Sequence, residues 1–405
     1  MSHHNWTLDN GLNVIAESQD HMKSVSVGFF VKTGSRDESM ELNGVSHFLE
    51  HMLFKGTHKR TGAEVDEDFD SLGAEYNAFT GYEYTGYYGR VLPEHLEAIT
   101  ELLADMMKPS LRQEDFDTEK NVILEEIALY EDRPQAVLQR QAVLAYYGDH
   151  PMGQEILGSK ESIQAMTRDQ MDGYYQDRYV PHNMTLTVAG NFDSDQLLKL
   201  ANKYCGDWTS HPVERTYDAF EAKVNEVKLT RSNVSRLHAV ALSPAPAYQD
   251  PRSEAMDLMV DILGHPGNSR LHWALVDKSL VDYASASYHA QDRIGVMGVS
   301  LSCDPAAFES VMKIAQAEVE KLLEHGITQD ELDSARNRVL TSLATEGEQS
   351  LRRLFSFAFD SLYDEPYRSV GEVLEAYEKV AVDDIHQLLK EYPFTPQTVA
   401  SLGPA

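Results

Sequence analysis

The chain has 405 residues, of which 65 are acidic and 35 are basic, so its formal net charge is -30. Such a surface repels nucleic acid and anionic membranes, which excludes both as predicted partners. With 42% hydrophobic residues, the chain is long enough for two domains of ordinary size. No apolar run approaches the roughly 20 residues that cross a bilayer, and the first residues lack the pattern of a secretory signal.

The chain contains two cysteines, Cys205 and Cys303, which lie far apart in the sequence. A disulfide framework is therefore excluded, and a reducing compartment is the default expectation. We expect a soluble, cytoplasmic protein.

In the first half, short segments rich in β-branched and aromatic residues alternate with segments of helical spacing. Strands are predicted at residues 12–16, 25–31, 74–80, 84–91 and 184–189. Helices are predicted at residues 44–54, 63–72, 93–107, 115–131, 135–147 and 194–205. Gly56 and Gly73 follow two of these helices, and Pro93 suits the first turn of a third.

Residues 211–228 are polar and have no clear period, so we interpret them as a linker between domains at 1–210 and 229–405. The second half repeats the order of elements. Its predicted strands are 237–242, 283–288 and 295–303, and its predicted helices are 251–263, 305–324 and 328–345. This repetition suggests a duplication. The fold class predicted is α+β, with two related domains that each have an antiparallel-rich sheet covered by helices.

The predicted helix 44–54 carries His47, Glu50 and His51. Side chains at positions i and i+4 lie on one face of a helix, so both imidazoles can reach a single ion. Zinc accepts such nitrogen ligands, and a catalytic site keeps one position open for water. Glu50 lies beside this face, where its carboxylate can take a proton from the attacking water.

A catalytic zinc needs a third protein ligand, and the predicted helix 115–131 offers carboxylates. Glu119 and Glu126 are seven residues apart and share one face with Val122 and Ile123, which points that face inward. We predict Glu126 as the third ligand, with Glu119 orienting a histidine or water behind it. Glu125, rotated by about 100°, is the alternative ligand.

The motif His47-x-x-Glu50-His51 is the inverted zinc motif of the pitrilysin and insulin-degrading enzyme superfamily, which this chain resembles. It is most similar to the short, two-domain processing peptidases, the mitochondrial processing peptidase subunits and their bacterial relatives. The resemblance is strong from about residue 10 to 200 and looser afterwards. The segments that carry it are 44–57, 119–127, His150-Pro151-Met152-Gly153, Asn183-Met184 and Gly190-Asn191-Phe192.

The resemblance implies two related α+β domains in each chain, and two chains that enclose a chamber. It implies one zinc ion per chain, with Glu126 as the third ligand and Glu119 assisting catalysis. A peptide substrate is implied to bind as an extended strand at a sheet edge, here Asn77-Ala78-Phe79. Strand addition uses main-chain hydrogen bonds, so it tolerates many sequences but requires an unfolded peptide.

One departure from the family pattern lies in the second half. The family has an arginine seven residues before a tyrosine that helps to bind substrate and stabilise the transition state. Tyr283 matches that tyrosine, but Val276 stands at the arginine position. The loss suggests a heterodimer in which a sister chain supplies the arginine and tyrosine pair, while a homodimer remains open.

Two functions follow from these patterns. The first is a zinc endopeptidase that cuts unfolded or presequence-like peptides, with Glu50, Glu119 and Tyr283 as catalytic residues. The second is a non-catalytic scaffold subunit of a larger complex, which the complete zinc motif disfavours. A zinc site that serves stability alone is also disfavoured, because such sites normally use four protein ligands and often cysteines.

Overall fold

The computed structural model describes residues 2–405, which divide into two compact units. The first unit comprises the chain up to Ala128, Gln154–Thr216 and Thr345–Arg368. The second comprises Leu129–Gly153, Tyr217–Ala344 and Ser369–Ala405. Each unit therefore includes one segment from the half of the sequence that mainly forms the other.

Strands and helices alternate along the chain and are numbered in chain order. The strands are β1 Ser2–Thr7, β2 Asn13–Ser18, β3 Val25–Val31, β4 Glu75–Thr80, β5 Thr85–Val91, β6 Met184–Gly190, β7 Asn225–Arg231, β8 Leu237–Ala245, β9 Val281–Gln291, β10 Ile294–Cys303 and β11 Thr398–Pro404. The helices are α1 Val45–Leu53, α2 Gly62–Ser71, α3 Leu96–Met106, α4 Gln113–Glu131, α5 Pro134–Tyr147, α6 Lys160–Ala165, α7 Arg168–Arg178, α8 Ser194–Cys205, α9 Ser253–Gly264, α10 Phe308–His325, α11 Gln329–Gly347, α12 Ser350–Leu362, α13 Val370–Lys379 and α14 Val382–Glu391.

The first unit is built on a sheet with the strand order β1-β2-β6-β3-β5-β4. Strands β2 and β6 run parallel, and the other neighbouring pairs are antiparallel. The central strand β3 is buried on both faces, which explains its near-continuous apolar sequence. Val27 and Phe29 belong to the main core with α1 and α3, whereas Phe30 packs with Leu354 and Phe357 of α12.

Helix α12 is fixed to this sheet by a buried ion pair. Arg353 of α12 is 3% exposed, and its Nε donates to Oε1 of the fully buried Glu17 on β2 at 3.0 Å. The hydroxyl of Tyr367 also donates to Glu17. Because either charge would be costly if it were buried alone, the pair restricts how α12 can pack on the sheet.

The second unit has the strand order β7-β11-β8-β10-β9. This order repeats β2-β6-β3-β5-β4 of the first unit, including the single parallel pair, here β7 and β11. Helix α5 contacts β7, β8 and β11, and α12 contacts the equivalent strands β2, β3 and β6. The shared topology supports the predicted duplication, and it confirms the predicted class of two related α+β domains.

The two units differ from the predicted division into residues 1–210, 211–228 and 229–405 at three elements. Helix α12 packs on the first sheet and α5 on the second, and β7 begins within the predicted linker. An amphipathic pattern shows that one helix face is buried, but it does not identify the sheet that buries it. None of the helices within residues 2–405 has both the length and the apolar character that crossing a bilayer requires.

Candidate metal centre

The candidate centre starts at α1, whose N-terminus is held by a buried carboxylate. Glu38 is 5% exposed, and it accepts hydrogen bonds from the backbone N–H groups of Gly44 at 2.7 Å and Ser46 at 2.8 Å. Gly44 has a φ of 94°, and a Cβ there would lie 2.6 Å from the carbonyl oxygen of Leu157. The position therefore requires glycine. These contacts fix the start and the direction of the helix that carries both predicted histidine ligands.

Helices α1 and α4 are joined by aromatic stacking. The ring of Phe48 stacks on Phe116 of α4 with the centroids 4.7 Å apart. Glu119 and Ile123 are buried on the same side of α4, as predicted, but Val122 is 45% exposed. The expectation that Val122 lies on the inward face is wrong. It is rotated by about 60° from Glu119 on the helix, far enough for solvent to reach it.

The predicted ligands come together in the first unit. The Nε2 atoms of His47 and His51 each lie 3.7 Å from Oε2 of Glu126. Among residues 2–405, these three form the group whose donor atoms lie close enough, within 4.8 Å of one another, to hold one metal ion. Tetrahedral zinc with bonds of about 2.1 Å places its ligands roughly 3.4 Å apart, so the observed spacing fits zinc with small adjustments. The alternative ligand Glu125 is exposed and is not in the group.

The surroundings of His47 also fit a metal ligand. Its side chain is almost completely buried, and its Nδ1 has no hydrogen-bond partner in the described structure. Burial, followed by the charge of His51, lowers the pKa of His47 to about 3. The imidazole is therefore neutral, which is the form that binds a metal. Nδ1 is not the nitrogen that faces Glu126, so Nε2 is the atom of His47 that would bind the metal.

Glu119 connects the second histidine to the protein. Its Oε1 lies 2.8 Å from Nδ1 of His51, and its Oε2 lies 2.8 Å from Nζ of Lys55. Burial opposes the charged form of Glu119, but the bonds to His51 and Lys55 outweigh it and hold its pKa below the usual value. A proton on Nδ1 of His51 leaves Nε2 free to bind a metal, so Glu119 selects the tautomer that coordination needs.

Glu50 lies beside the three donor atoms without joining them. Its Oε2 accepts a hydrogen bond from Oγ1 of Thr80 at 2.6 Å. Burial raises the pKa of Glu50, and the neighbouring charge of Glu126 adds to this, whereas Thr80 and His51 act in the opposite direction. A carboxylate with a raised pKa next to a metal site is suited to accept a proton from water and to return it.

The predicted substrate-binding residues Asn77, Ala78 and Phe79 lie on β4, at the edge of the first sheet. Within this sheet β4 pairs with β5 on one side, so its other edge is open to an added strand in the part of the chain described. Asn77 is exposed, Ala78 is buried and Phe79 is half-buried. The edge has the form that strand addition needs.

The predicted catalytic tyrosine belongs to the second unit. Tyr283 lies on β9 and is 36% exposed, and its catalytic role stays a prediction. Val276 packs against the core of the second unit. Arg270 does not substitute for the missing arginine, because its guanidinium is bound to the carboxylate of Glu331 and the carbonyl of Gly326.

Three supporting residues were missed by reasoning from the sequence. Lys55 lies four residues after His51, in the turn that follows α1, and this short spacing is a signal that the sequence could have supplied. Thr80 ends the predicted substrate strand, but nothing in the sequence indicates that it reaches Glu50. Glu38 lies in a loop before α1, and its hydrogen bonds depend on a chain path that local patterns do not predict.

The chain is similar to known protein families and to curated proteins along most of its length. Residues 13–160 match the family described as insulinase (peptidase family M16), and residues 165–339 match the family described as peptidase M16 inactive domain. An uncharacterised zinc protease of Streptomyces coelicolor is 31% identical over 98% of this chain and 89% of its own length. An uncharacterised zinc protease of Bacillus subtilis is 29% identical over 99% of this chain and 98% of its own length.

The fold is also found among solved structures. The crystal structure of a protease from Helicobacter pylori has a TM-score of 0.93 and 24% identity, and the match covers 100% of this chain and 99% of that one. At this identity the likeness concerns the fold alone. The two matched domains together span most of the sequence, and the zinc protease relatives align along nearly its whole length. This chain therefore belongs to peptidase family M16.

Proposed function

We propose that this chain is a zinc-dependent endopeptidase. The main support is the convergence of His47, His51 and Glu126, with Glu50 beside them. Two imidazoles and one carboxylate leave a fourth tetrahedral position free, which is typical of catalytic zinc. One zinc ion per chain is the stoichiometry that this donor set supports.

The residues have distinct roles in the proposed reaction. Zinc, when bound, would polarise the peptide carbonyl and make the attacking water more acidic. Glu50 accepts the proton of that water and returns it to the leaving amine nitrogen. Glu119 keeps the Nδ1 proton of His51 in place and so keeps its Nε2 available. Tyr283 is the residue proposed to stabilise the transition state. It would act either in the site of its own chain or in the site of a partner chain.

The proposed substrate is an unfolded peptide that adds to the open edge of β4 through main-chain hydrogen bonds. The support is the position of Asn77, Ala78 and Phe79 on an edge strand whose last residue, Thr80, contacts Glu50. The net charge of -30 favours basic peptides by long-range attraction. We further propose a cytoplasmic dimer, which is either a homodimer or a heterodimer whose sister chain supplies the arginine and tyrosine pair.

A second candidate function is a non-catalytic subunit of a larger assembly. It is supported by the apolar packing of Val276 and by the description of the family that residues 165–339 match. The two candidate functions differ in whether they need Glu50. A peptidase requires it as the general base, whereas a scaffold subunit would have no use for a carboxylate beside the three metal ligands.

A cleavage assay on the full chain separates the two. The purified protein is incubated with a library of internally quenched peptides, before and after treatment with a chelator. We expect cleavage that the chelator removes and added zinc restores. Cleavage that persists after the metal has been removed would contradict the proposal. Absence of cleavage by the zinc-loaded chain, both alone and mixed with its sister chain, would favour the scaffold.

A further inference from the structure

We infer that Thr80 is a positioning residue that fixes the carboxylate of Glu50 and links it to the strand on which the substrate docks. This inference rests on the proposed peptidase function. Oγ1 of Thr80 donates to Oε2 of Glu50 at 2.6 Å. No other described residue hydrogen-bonds the Glu50 side chain, so Oε1 is left for the attacking water.

The need for such a contact follows from the flexibility of a glutamate side chain. The terminal torsion of Glu has a broad, roughly two-fold preference, so the carboxylate of Glu50 is not oriented by its own rotamer. One hydrogen bond from a fixed donor removes this freedom. Misplacement of a reacting group by about 1 Å can cost a hundredfold in rate, so the orientation matters for the proposed proton transfer.

The backbone at Thr80 is held in place because the turn that follows it, residues 81–84, is hydrogen-bonded to neighbouring segments. The turn closes through the bond from Gly81 N to the carbonyl of Tyr84 at 2.8 Å. The N–H of Arg36 bonds to the carbonyl of Tyr82 at 2.8 Å. A side chain at Gly34 would collide with the carbonyl of Gly81, so the two segments lie in direct contact.

A buried charge cluster supports the same turn. Glu83 is 1% exposed, and its carboxylate is paired with the guanidinium of Arg36. The hydroxyl of Tyr363 on the segment after α12 donates to Oε2 of Glu83 at 2.8 Å, and Arg215 donates to its carbonyl. Such a network, with its charges paired and bonded, rigidifies the backbone that carries it. Thr80 is therefore a donor at a fixed place.

Because Thr80 lies on β4, its hydrogen bond to Glu50 also links the carboxylate to the strand on which the peptide is proposed to dock. A peptide that adds to the open edge of β4 is placed by the backbone of Asn77–Phe79, the residues directly before Thr80. The same strand then sets both the register of the peptide and the direction of the Glu50 carboxylate. The distance between the scissile bond and the Glu50 carboxylate thus depends on β4, the strand that contacts both.

The test compares Thr80→Val, which keeps the shape and removes the hydroxyl, with Thr80→Ser, which keeps the hydroxyl. Thr230→Val on the exposed strand β7 is the matched control. For Thr80→Val we expect kcat on one quenched peptide cleaved by the unmodified chain to fall about ten- to hundredfold, with KM and zinc content unchanged. Thr80→Ser should stay within about threefold of the parent, since the donor remains.

Crystal structures of the parent and of Thr80→Val supply a readout that does not depend on activity. We expect the Glu50 carboxylate to be ordered in the parent and in Thr80→Ser, and to adopt another orientation or several in Thr80→Val. An unchanged kcat together with an unchanged Glu50 orientation in Thr80→Val would overturn the inference. If the parent cleaves no peptide, the proposed function fails, and the crystal structures still decide the positioning role.

Discussion

Helices α4 and α11 are counterparts in the two units, and they differ where chemistry is proposed. Both have 19 residues, and they begin with the similar sequences Gln-Glu-Asp-Phe-Asp and Gln-Asp-Glu-Leu-Asp. Aligned from these starts, Glu119 corresponds to Ala335 and Glu126 to Ser342. Glu119 and Ala335 are both buried. The second unit shows that this buried position needs only a small packing residue, so the carboxylate in the first unit is explained by its contacts rather than by the fold.

The helices that face them differ in the same way. Helix α1 carries His47 and His51, whereas α9, its counterpart between β8 and β9, has no histidine in its sequence. Instead, Oδ2 of Asp261 on α9 accepts from Nε of Arg338 on α11 at 3.0 Å. An ordinary ion pair thus joins the helices in one unit, and the proposed metal ligands join them in the other. The second unit has the same fold without the site. The site residues of the first unit can therefore be replaced by their counterparts in the second unit as a test.

The largest expected effect comes from giving α4 the residues of α11. The double variant Glu119→Ala with Glu126→Ser removes a ligand and the acceptor that orients His51. We expect zinc affinity to fall by at least about a hundredfold, because the loss of the orienting contact alone costs 10- to 100-fold. Metal analysis after dialysis against a weak chelator measures this.

The matched control is Glu125→Ser, which removes an exposed carboxylate from the same helix. It should retain zinc like the parent. If the double variant keeps its zinc while remaining folded, the proposed ligand set is wrong.

The reverse exchange tests the second unit. Ala335→Glu places a carboxylate at a fully buried position, and α9 has no histidine that could pair with it as His51 pairs with Glu119. An uncompensated buried charge of this kind lowers the free energy of unfolding by roughly 3 to 5 kcal/mol. Ser342→Glu, at an exposed position of the same helix, should change it by less than about 0.5 kcal/mol. Chemical denaturation followed by circular dichroism measures the free energy of unfolding of both variants. Equal values would show that a carboxylate is tolerated equally well at positions 335 and 342.

A half-buried carboxyl in the second unit, that of Asp257, predicts a pH dependence. Burial raises the pKa of Asp257 from 3.8 to about 6, although the hydroxyl of Tyr377 donates to it at 2.6 Å. The folded state therefore holds this proton more tightly than the unfolded state. The stabilisation that Asp257 contributes is therefore full below about pH 4, and roughly 2 to 3 kcal/mol of it is lost as the pH rises to about 6.

Asp257→Asn keeps the hydrogen bond to Tyr377 and removes the charge. We expect the variant to match the parent near pH 4 and to be more stable above about pH 6. Urea unfolding at both pH values measures the difference. The same slope with pH in both proteins would show that Asp257 is not the group responsible.

The smallest expected effect concerns Lys55, which binds the other oxygen of Glu119. Its side chain is 41% exposed, so solvent weakens the ion pair. We expect Lys55→Met to weaken zinc binding by about two- to tenfold, less than the loss of Glu119 itself. Lys59→Met, a more exposed lysine nearby, is the control. If zinc affinity is the same in Lys55→Met and the parent, the orientation of His51 by Glu119 does not depend on the ion pair with Lys55.

Much of the site could be predicted from the sequence because its main spacings are helical. His47 and His51 are one turn apart, and Glu119 and Glu126 are two turns apart, so each pair shares a face whatever the fold does. The fold class followed from the order of strands and helices. Bringing the two pairs together required the resemblance to a known family, since no local pattern states that α1 packs on α4.

What the sequence did not reveal depends on long-range packing. The exchange of α5 and α12 between the units joins residues more than 300 positions apart, such as Glu17 and Arg353. The hydrogen bond from Thr80 to Glu50 joins a strand end to a helix across 30 residues. Contacts of this kind are set by tertiary structure, and hydrophobic periodicity carries no information about them.

Zinc content and peptide cleavage, measured on the same preparation of Glu50→Gln, separate loss of the general base from loss of the metal. We expect close to one zinc ion per chain in both the parent and the variant. Cleavage should fall by about 10²- to 10⁴-fold in the variant, because the general base is lost while the ligands remain. Cleavage at the parent rate by Glu50→Gln, or a folded parent that binds no zinc, would show that the proposed site is wrong.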